Sequence, residues 1–490
     1  MNKYSNATGP AGSPISRRTV IFAILLLFGA LIAMPGMLSA RGGGERPGEL
    51  PTAPPFPTDP ASDGPRISMT GIPFPPAPPV PEGELSPAAR AAIEDLFEGI
   101  NGGLISEPPI EALGRSGDPR VLWFLRDLFR FGAMNTARAI FAAFEELTGV
   151  APEDLNLSSV ANHLIAWDLP AYPGYTKDKE RLFLLIEPRW QPFFDDEDSN
   201  IDWRWVEWGG VLIDDRRIGS PEVPCFRCIP ALDDPPVTTA DRGDWYPDDR
   251  LVFGIVINGE ARAYPRNQME IHEMVNDTLG GRRIGIPYCT LCLSAQAYYL
   301  DDVEGFEPIL RTSGLLARSN KFMYDLSTFS AIDTFTGEAI SGPLLDAGVV
   351  LNQVTVVTST WGEWKRAHPG TTILAEDGGR GQGYRYPLDP LGDRDENGPI
   401  FPVGDVDPRL PVHERVLGVI AADGTPVAFP VVNAAIALRR GATISHLGID
   451  VIFDGDGLRA TINGEDVVSH ESFWFAWSQF REGTELWELE

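Results

Sequence analysis

Apolar and polar positions alternate with a different period in each part of the chain, and the changes of period divide it. From Val20 to Ala33 no charged or strongly polar residue interrupts an apolar run, and Met34 to Ala40 adds none. About 20 such residues suffice to cross a bilayer, so residues 19–40 are expected to form a signal peptide or membrane anchor, behind a cytoplasmic tail at 1–18. Arg17 and Arg18 precede the run in the manner of a twin-arginine export signal and favour an N-terminus held inside. Residues 41–87 contain 14 prolines and little apolar periodicity, the pattern of an extended proline-rich linker. The period then becomes helical. Ser86 is a capping residue, and Asp118-Pro119 places a cap before proline at the first helical position. Val121, Leu122, Phe124, Leu125, Leu128 and Phe129 come next on one face. A second helix is predicted from Asn135 to just before Gly149, burying Ile140, Phe141, Phe144 and Leu147. Two short-looped helices of this kind resemble a HEAT-type hairpin, so 88–170 is expected to be a helical HEAT-like module.

From about Ile201 the runs become short, β-branched or aromatic, and punctuated by Gly, Asp and Pro, as in Leu251–Ile257 before the Asn258-Gly259 turn. An internal repeat lies within this half. Val252-Phe253-Gly254-Ile255-Val256 is echoed by Val416-Leu417-Gly418-Val419-Ile420, each with an aromatic-proline pair beyond a turn, Tyr264-Pro265 and Phe429-Pro430. Trp361-x-x-Trp364 with Gly370-Thr371 recurs as Trp474-x-x-Trp477 with Gly483-Thr484. Between them, Tyr324-Asp325 and Thr336-Gly337-Glu338 find partners in Phe453-Asp454 and Asn463-Gly464-Glu465. The expected fold class is therefore α+β, an N-terminal helical module followed by two related, duplicated β-rich lobes at 201–378 and 410–490. Measured between equivalent motifs, Val252 to Thr371 against Val416 to Thr484, the first lobe is about fifty residues longer.

Composition narrows the function. The 490 residues carry a formal charge of −29, which repels phosphate backbones and excludes nucleic acid as a partner. No phosphate-cradling glycine loop or nucleophile-elbow serine stands in an informative context, so conventional nucleotide-binding and hydrolase readings fall away. The four cysteines form two Cys-x-x-Cys pairs, Cys225/Cys228 and Cys289/Cys292. Cys289 and Cys292 follow the strand-like Arg283–Tyr288 and precede an apolar run ending at Asp301-Asp302, which places them at the entry to a hairpin rather than at a helix N-terminus. The spacing serves a redox dithiol, two ligands of a soft metal such as zinc or copper, or a small staple. Cys225 and Cys228 occupy a proline-bounded loop. Together the four thiolates would complete one tetrahedral metal centre, while separate disulfides suit an exported protein. His272, on an expected helix from Asn267 to Val275, is the candidate third ligand or proton-transferring partner. Trp361, Trp364, Trp474 and Trp477 recur with the repeat and read as core.

Several segments resemble one bacterial family, the domain of unknown function 3179. They are Ile229–Pro235, Asn258–Pro265, His272–Asp277, Tyr288-Cys289-Thr290-Leu291-Cys292, Thr336–Ile340, Thr360–Trp364 and Phe473–Trp477. Thr290 and Leu293 depart from the Pro and Gly the family pattern leads one to expect, and Cys225-x-x-Cys228 is no feature of it. The resemblance implies that some relatives are selenoproteins at the position of Cys289-x-x-Cys292, and hence redox chemistry there. On this basis the chain is expected to be an exported, membrane-anchored or secreted thiol redox protein with Cys289, Cys292 and His272 in catalytic roles and a protein redox partner. A non-catalytic zinc or copper module on Cys225, Cys228, Cys289 and Cys292, and a disulfide-stapled interaction protein, are its rivals.

Overall fold

The computed structural model describes residues 65–489 except 132–133, 153–155, 219–224, 381–383 and 393–397. The tail, the signal or anchor and the linker up to residue 64 lie outside the described residues. No helix of the described residues is long and apolar enough to cross a membrane. The described chain is mixed α+β, a helical N-terminal region followed by several small sheets.

The helices are α1 (Pro87–Asn101), α2 (Glu107–Gly114), α3 (Leu122–Leu128), α4 (Met134–Thr148), α5 (Leu157–Ala166), α6 (Tyr175–Ile186) and α7 (Gln191–Asp195). The Ser86 hydroxyl caps α1 by accepting from the Ala89 N–H at 3.2 Å, and Asp118 caps the 3-10 turn that leads into α3. The expected α3–α4 hairpin is not the main packing pair. α4 lies along α2, while α3 packs against α5 and α6. The reason is that α3 is buried on all sides, Arg126 and Asp127 included, so it is the centre of the helical region rather than one half of an amphipathic pair. The helices also continue to Asp195, beyond the expected end at residue 170. Buried Arg126 and Lys179 share Asp127, and both also reach the Val206 carbonyl, which fastens the helices to β1 (Val206–Trp208). The described part of the 41–87 linker is no free spacer. Arg66 pairs with Asp405 at 2.8 Å, and the Trp167 indole N–H donates to the Pro75 carbonyl at 2.6 Å. A proline-rich segment leaves carbonyls unpaired, and the one at Pro75 is what Trp167 engages.

The first lobe contains β2 (Leu232–Asp233), β3 (Val237–Thr239) and a hairpin of β4 (Leu251–Ile257) and β5 (Glu260–Pro265). Asn258 and Gly259 at its turn both have positive φ, as a two-residue hairpin of this hand requires. Next come α8 (Arg266–His272), β6 (Met274–Leu279), β7 (Arg282–Cys289), β8 (Ser294–Ala295) and β9 (Ala297–Tyr299). The meander β10 (Leu310–Ala317), β11 (Asn320–Asp325), β12 (Ala331–Asp333) joins β1 and shares the helical core through Leu315, Phe322, Tyr324 and Ala331. The lobe closes with α9 (Gly342–Asp346), β13 (Gln353–Val354), β14 (Val357–Thr360), α10 (Trp361–Ala367) and β15 (Thr372–Leu374). The second lobe begins with β16 (Arg415–Ile420), β17 (Pro426–Pro430) and α11 (Val431–Arg439). It continues with β18 (Ile444–His446), β19 (Ile449–Asp454), β20 (Gly457–Ile462), β21 (Glu465–Val467), β22 (Ser469–Phe473), α12 (Trp474–Phe480) and β23 (Glu485–Leu486).

The repeat motifs fall on equivalent positions. β14-β4-β5-β15 and β22-β16-β17-β23 have the same order, with β14 and β22 antiparallel to their neighbours and β15 and β23 parallel to theirs. Val252 pairs with Pro265 as Val416 pairs with Pro430. Trp364 covers Gly254 and donates its N–H to the Thr371 hydroxyl at 3.0 Å, and Trp477 covers Gly418 and donates to Thr484 at 2.8 Å. A Cβ at either glycine would run into the indole, so the glycine and tryptophan recur together. The meanders also correspond, Leu315 opposite Phe322 as Ile444 is opposite Val451. What the second lobe lacks is the stretch from β6 to β9. There α11 leads directly to β18, and it is this insertion that carries Cys289 and Cys292.

Candidate functional site

Cys289 ends β7 and Cys292 lies in the tight turn to β8, with Cys289 paired to Ser294 across the hairpin. Leu293, at the position where glycine was expected, has φ of 49°. The turn therefore demands a left-handed residue, and leucine occupies it at a cost of about 1–2 kcal/mol. Both cysteines are free thiols. Their sulfurs are 2.9 Å apart, and the residues are 2 % and 0 % exposed. They sit at a seam where the inserted hairpin meets the second lobe, because the Phe473 N–H of β22 donates to the Cys292 carbonyl at 2.8 Å. The β10–β11 turn closes the other side. The Ser319 carbonyl lies 3.8 Å from the Cys289 sulfur and 3.6 Å from that of Cys292, and Asn320 Oδ1 is 3.5 Å from Cys292.

The two thiols are not equivalent. Burial by itself pushes the Cys289 thiol up, and Glu273 adds to this. The Cys292 S–H and the backbone N–H groups of Lys321 and Cys292 outweigh both and hold Cys289 below its ordinary value. Burial and the neighbouring Cys289 push Cys292 well above. Beside them Lys321, 5 % exposed, donates to the Glu273 carbonyl and lies 3.3 Å from Glu273 Oε2 and 3.4 Å from the Tyr288 carbonyl. Burial lowers the Lys321 pKa, and Glu273 and Cys289 partly restore it. The Thr290 hydroxyl donates to Glu273 Oε1 at 3.1 Å, which gives the departure from proline at that position a partner. Glu273 turns left-handed with φ of 51° and ends the helix at His272, where the pattern predicted continuation to Val275.

His272 sits one residue from Glu273, but its ring faces another neighbourhood. Nδ1 is 2.6 Å from the Pro230 carbonyl, which only accepts, so Nδ1 carries the proton and Nε2 accepts from the Tyr386 hydroxyl at 2.7 Å. Burial holds the imidazole neutral, its pKa lowered to about 4. Both ring nitrogens are thus occupied away from the thiols.

Cys225 and Cys228 form a disulfide in a half-buried loop whose Phe226 is 59 % exposed. The single four-cysteine zinc or copper centre is not assembled. Among the described residues the one group of three or more metal-capable side chains is Asp214, Cys225 and Cys228. Asp214 is itself engaged, by Arg216 at 2.6 Å and the Ala231 N–H at 2.8 Å, so this group does not fit a metal. The separation follows from the β10 strand. Thr312 near its start donates to the Ile229 carbonyl, whereas the thiols meet Ser319 beyond its far end, roughly 20 Å away at about 3.3 Å per residue.

Lys321, Ser319 and Asn320 escaped the sequence reading. The available signal was a lysine directly before the apolar run Phe322-Met323-Tyr324, just after a turn, where a buried charge demands a partner. No curated protein and no solved structure matches the chain. Residues 227–444 match the family described as protein of unknown function (DUF3179), a stretch that holds Glu273, Cys289, Cys292 and Lys321 but leaves Cys225 outside, and that part of the chain belongs to the family.

Proposed function

We propose that this is an exported thiol redox protein whose working pair is Cys289 and Cys292. The observation that supports it most is the 2.9 Å separation of two free sulfurs held in one hairpin turn. A disulfide bond is about 2.05 Å long, so closure asks for a shift of about 1 Å and no change of fold. The closing reaction turns two thiols into one disulfide and releases two protons and two electrons to an acceptor. The asymmetry between the thiols supplies direction, since the more readily deprotonated sulfur attacks and the other follows. The Lys321 ammonium favours the thiolate form of Cys289 beside it, and Glu273 keeps Lys321 in place and offsets part of the cost of burying its charge. The exported location rests on the apolar run at 19–40 behind Arg17-Arg18.

The test is to equilibrate the full chain with a series of dithiol and disulfide buffers, quench with acid and alkylate in denaturant. A two-electron transition is expected that disappears in Cys289→Ser and Cys292→Ser and persists when Cys225 and Cys228 are both replaced by serine. Thiols that stay reduced throughout the series, or that hold stoichiometric zinc, overturn the reading. Recovery of the full chain from the cytoplasm of its own cell overturns the location.

A further inference from the structure

Around the dithiol lie buried polar atoms that the redox pair itself does not use. Ser294 is cross-strand from Cys289, Ser319 offers its carbonyl to both sulfurs, and Ser472 precedes Phe473, whose N–H holds the Cys292 carbonyl. All three serines are at most 3 % exposed, and none of their hydroxyls has a hydrogen-bond partner among the described residues. Buried hydroxyls left unpaired are costly, and a group of them normally has small polar molecules to bond. At the same time the sulfurs are closed off. A protein disulfide exchanges only when its sulfur meets the thiolate in line, and here the β10–β11 turn and β22 stand in the way.

We propose that the oxidant of the pair is hydrogen peroxide, taken up at this serine-lined seam, with Cys289 as the attacking and Cys292 as the resolving sulfur. The proposal rests on the redox reading above and replaces its protein partner with a small molecule. Peroxide donates and accepts hydrogen bonds as water does, so a seam that suits water suits it as well. The Cys289 thiolate attacks one peroxide oxygen, an S–O bond forms, the O–O bond breaks, and the departing hydroxide leaves as water after taking a proton. The Cys292 sulfur then attacks the Cys289 sulfur, the S–S bond forms, the S–O bond breaks, and the second hydroxide leaves as water with the Cys292 proton. In sum, two thiols and one peroxide give one disulfide and two waters. The Ser294 hydroxyl, cross-strand from Cys289, donates to the departing oxygen. Two molecules of a small thiol restore the dithiol and leave as their own disulfide.

Reduced full chain, with Cys225 and Cys228 replaced by serine, is mixed with hydrogen peroxide or with an equal concentration of a folded protein disulfide, quenched with acid and mapped by mass. One peroxide consumed per disulfide formed is expected, at a rate at least about tenfold above that with the protein disulfide, and Ser294→Ala should slow the peroxide reaction about tenfold. The same variant leaves the pair's transition in the redox-buffer series where it was, which separates a role in the reaction from a role in stability. In Cys292→Ser, Cys289 should gain the mass of one oxygen. Ser319→Ala serves as the second variant where Ser294→Ala fails to fold. A protein disulfide that reacts as fast as peroxide, or a serine variant with unchanged peroxide rate, overturns the proposal and leaves the redox reading standing. Loss of the two-electron transition in the buffer series overturns both.

Discussion

The Cys225–Cys228 disulfide closes a half-buried loop beside exposed Phe226, whereas Cys289 and Cys292, at the same spacing, keep free thiols at the seam of two sheets. The first pair has solvent and an already engaged carboxylate as its surroundings. The second has a buried lysine, a strained glutamate and three serine hydroxyls without a partner among the described residues. Cys-x-x-Cys spacing thus places two sulfurs within reach of each other and says nothing of what reaches them. Accessibility and charge, supplied by elements distant in sequence, distinguish a staple from a reactive pair.

The largest expected contrast is in access. After mild reduction, a bulky maleimide reagent should label Cys225 and Cys228 in the folded protein roughly a thousandfold faster than Cys289 and Cys292, because the buried pair is reached only through opening. Equal labelling rates would remove the distinction on which the comparison stands. Next is the charge beside each pair. Lys321→Met leaves half-buried Glu273 without its ion partner and should cost about 3 kcal/mol in urea unfolding. Arg227→Met, in the disulfide loop, should stay within about 0.5 kcal/mol. If the two substitutions cost the same, the Lys321–Glu273 ion pair is not what organises the dithiol.

Acid distinguishes the regions less sharply, because each has its own buried histidine. Burial lowers His272 to about 4 and His470, beside Gln296, to about 3, from an ordinary 6.5. Between these values and 6.5 the unfolded chain binds a proton that the folded chain refuses. Stability from both is therefore whole above pH 6.5 and falls as pH drops toward 4, by about 3 kcal/mol for each group. Urea midpoints at pH 7 and pH 5 check this, and His470→Gln should flatten its share of the slope. A wild-type midpoint that rises on acidification would contradict it. The smallest effect is expected from replacing Cys225 and Cys228 by serine. So short a disulfide loop constrains the unfolded chain little, and thermal unfolding should report a loss of about 2 kcal/mol or less with the Cys289–Cys292 transition unaltered. Collapse of that transition would mean that the two pairs act as one system.

Particular elements were legible because their causes are local. Ser86 and Asp118 each cap the helical turn next to them in the chain, Asn258-Gly259 makes its turn, and each tryptophan repeat lies over the glycine its own lobe supplies. Leu293 and Thr290, both departures from the family pattern, mark a left-handed turn and a hydrogen bond to Glu273. The packing of α3 at the helical centre was not legible, since periodicity reports one apolar face and α3 is buried on all of them. Nor was the orientation of His272, whose neighbour in sequence, Glu273, touches the site while its own ring turns to Pro230 and Tyr386.

The sequence by itself determined the α+β order of elements, the repeat and the insertion that interrupts it, the two cysteine pairs and the hairpin that holds the second. These depend on period, turn residues and spacing, which act over a few positions of chain. Only the tertiary structure decided that the two pairs stay apart, that Cys289 and Cys292 are sealed at a seam between lobes, and that Lys321, Ser319 and Ser472 stand around them. Those outcomes depend on which strands meet. A side chain's burial, partners and proton affinity are set by atoms brought close in space, from positions that local pattern does not connect.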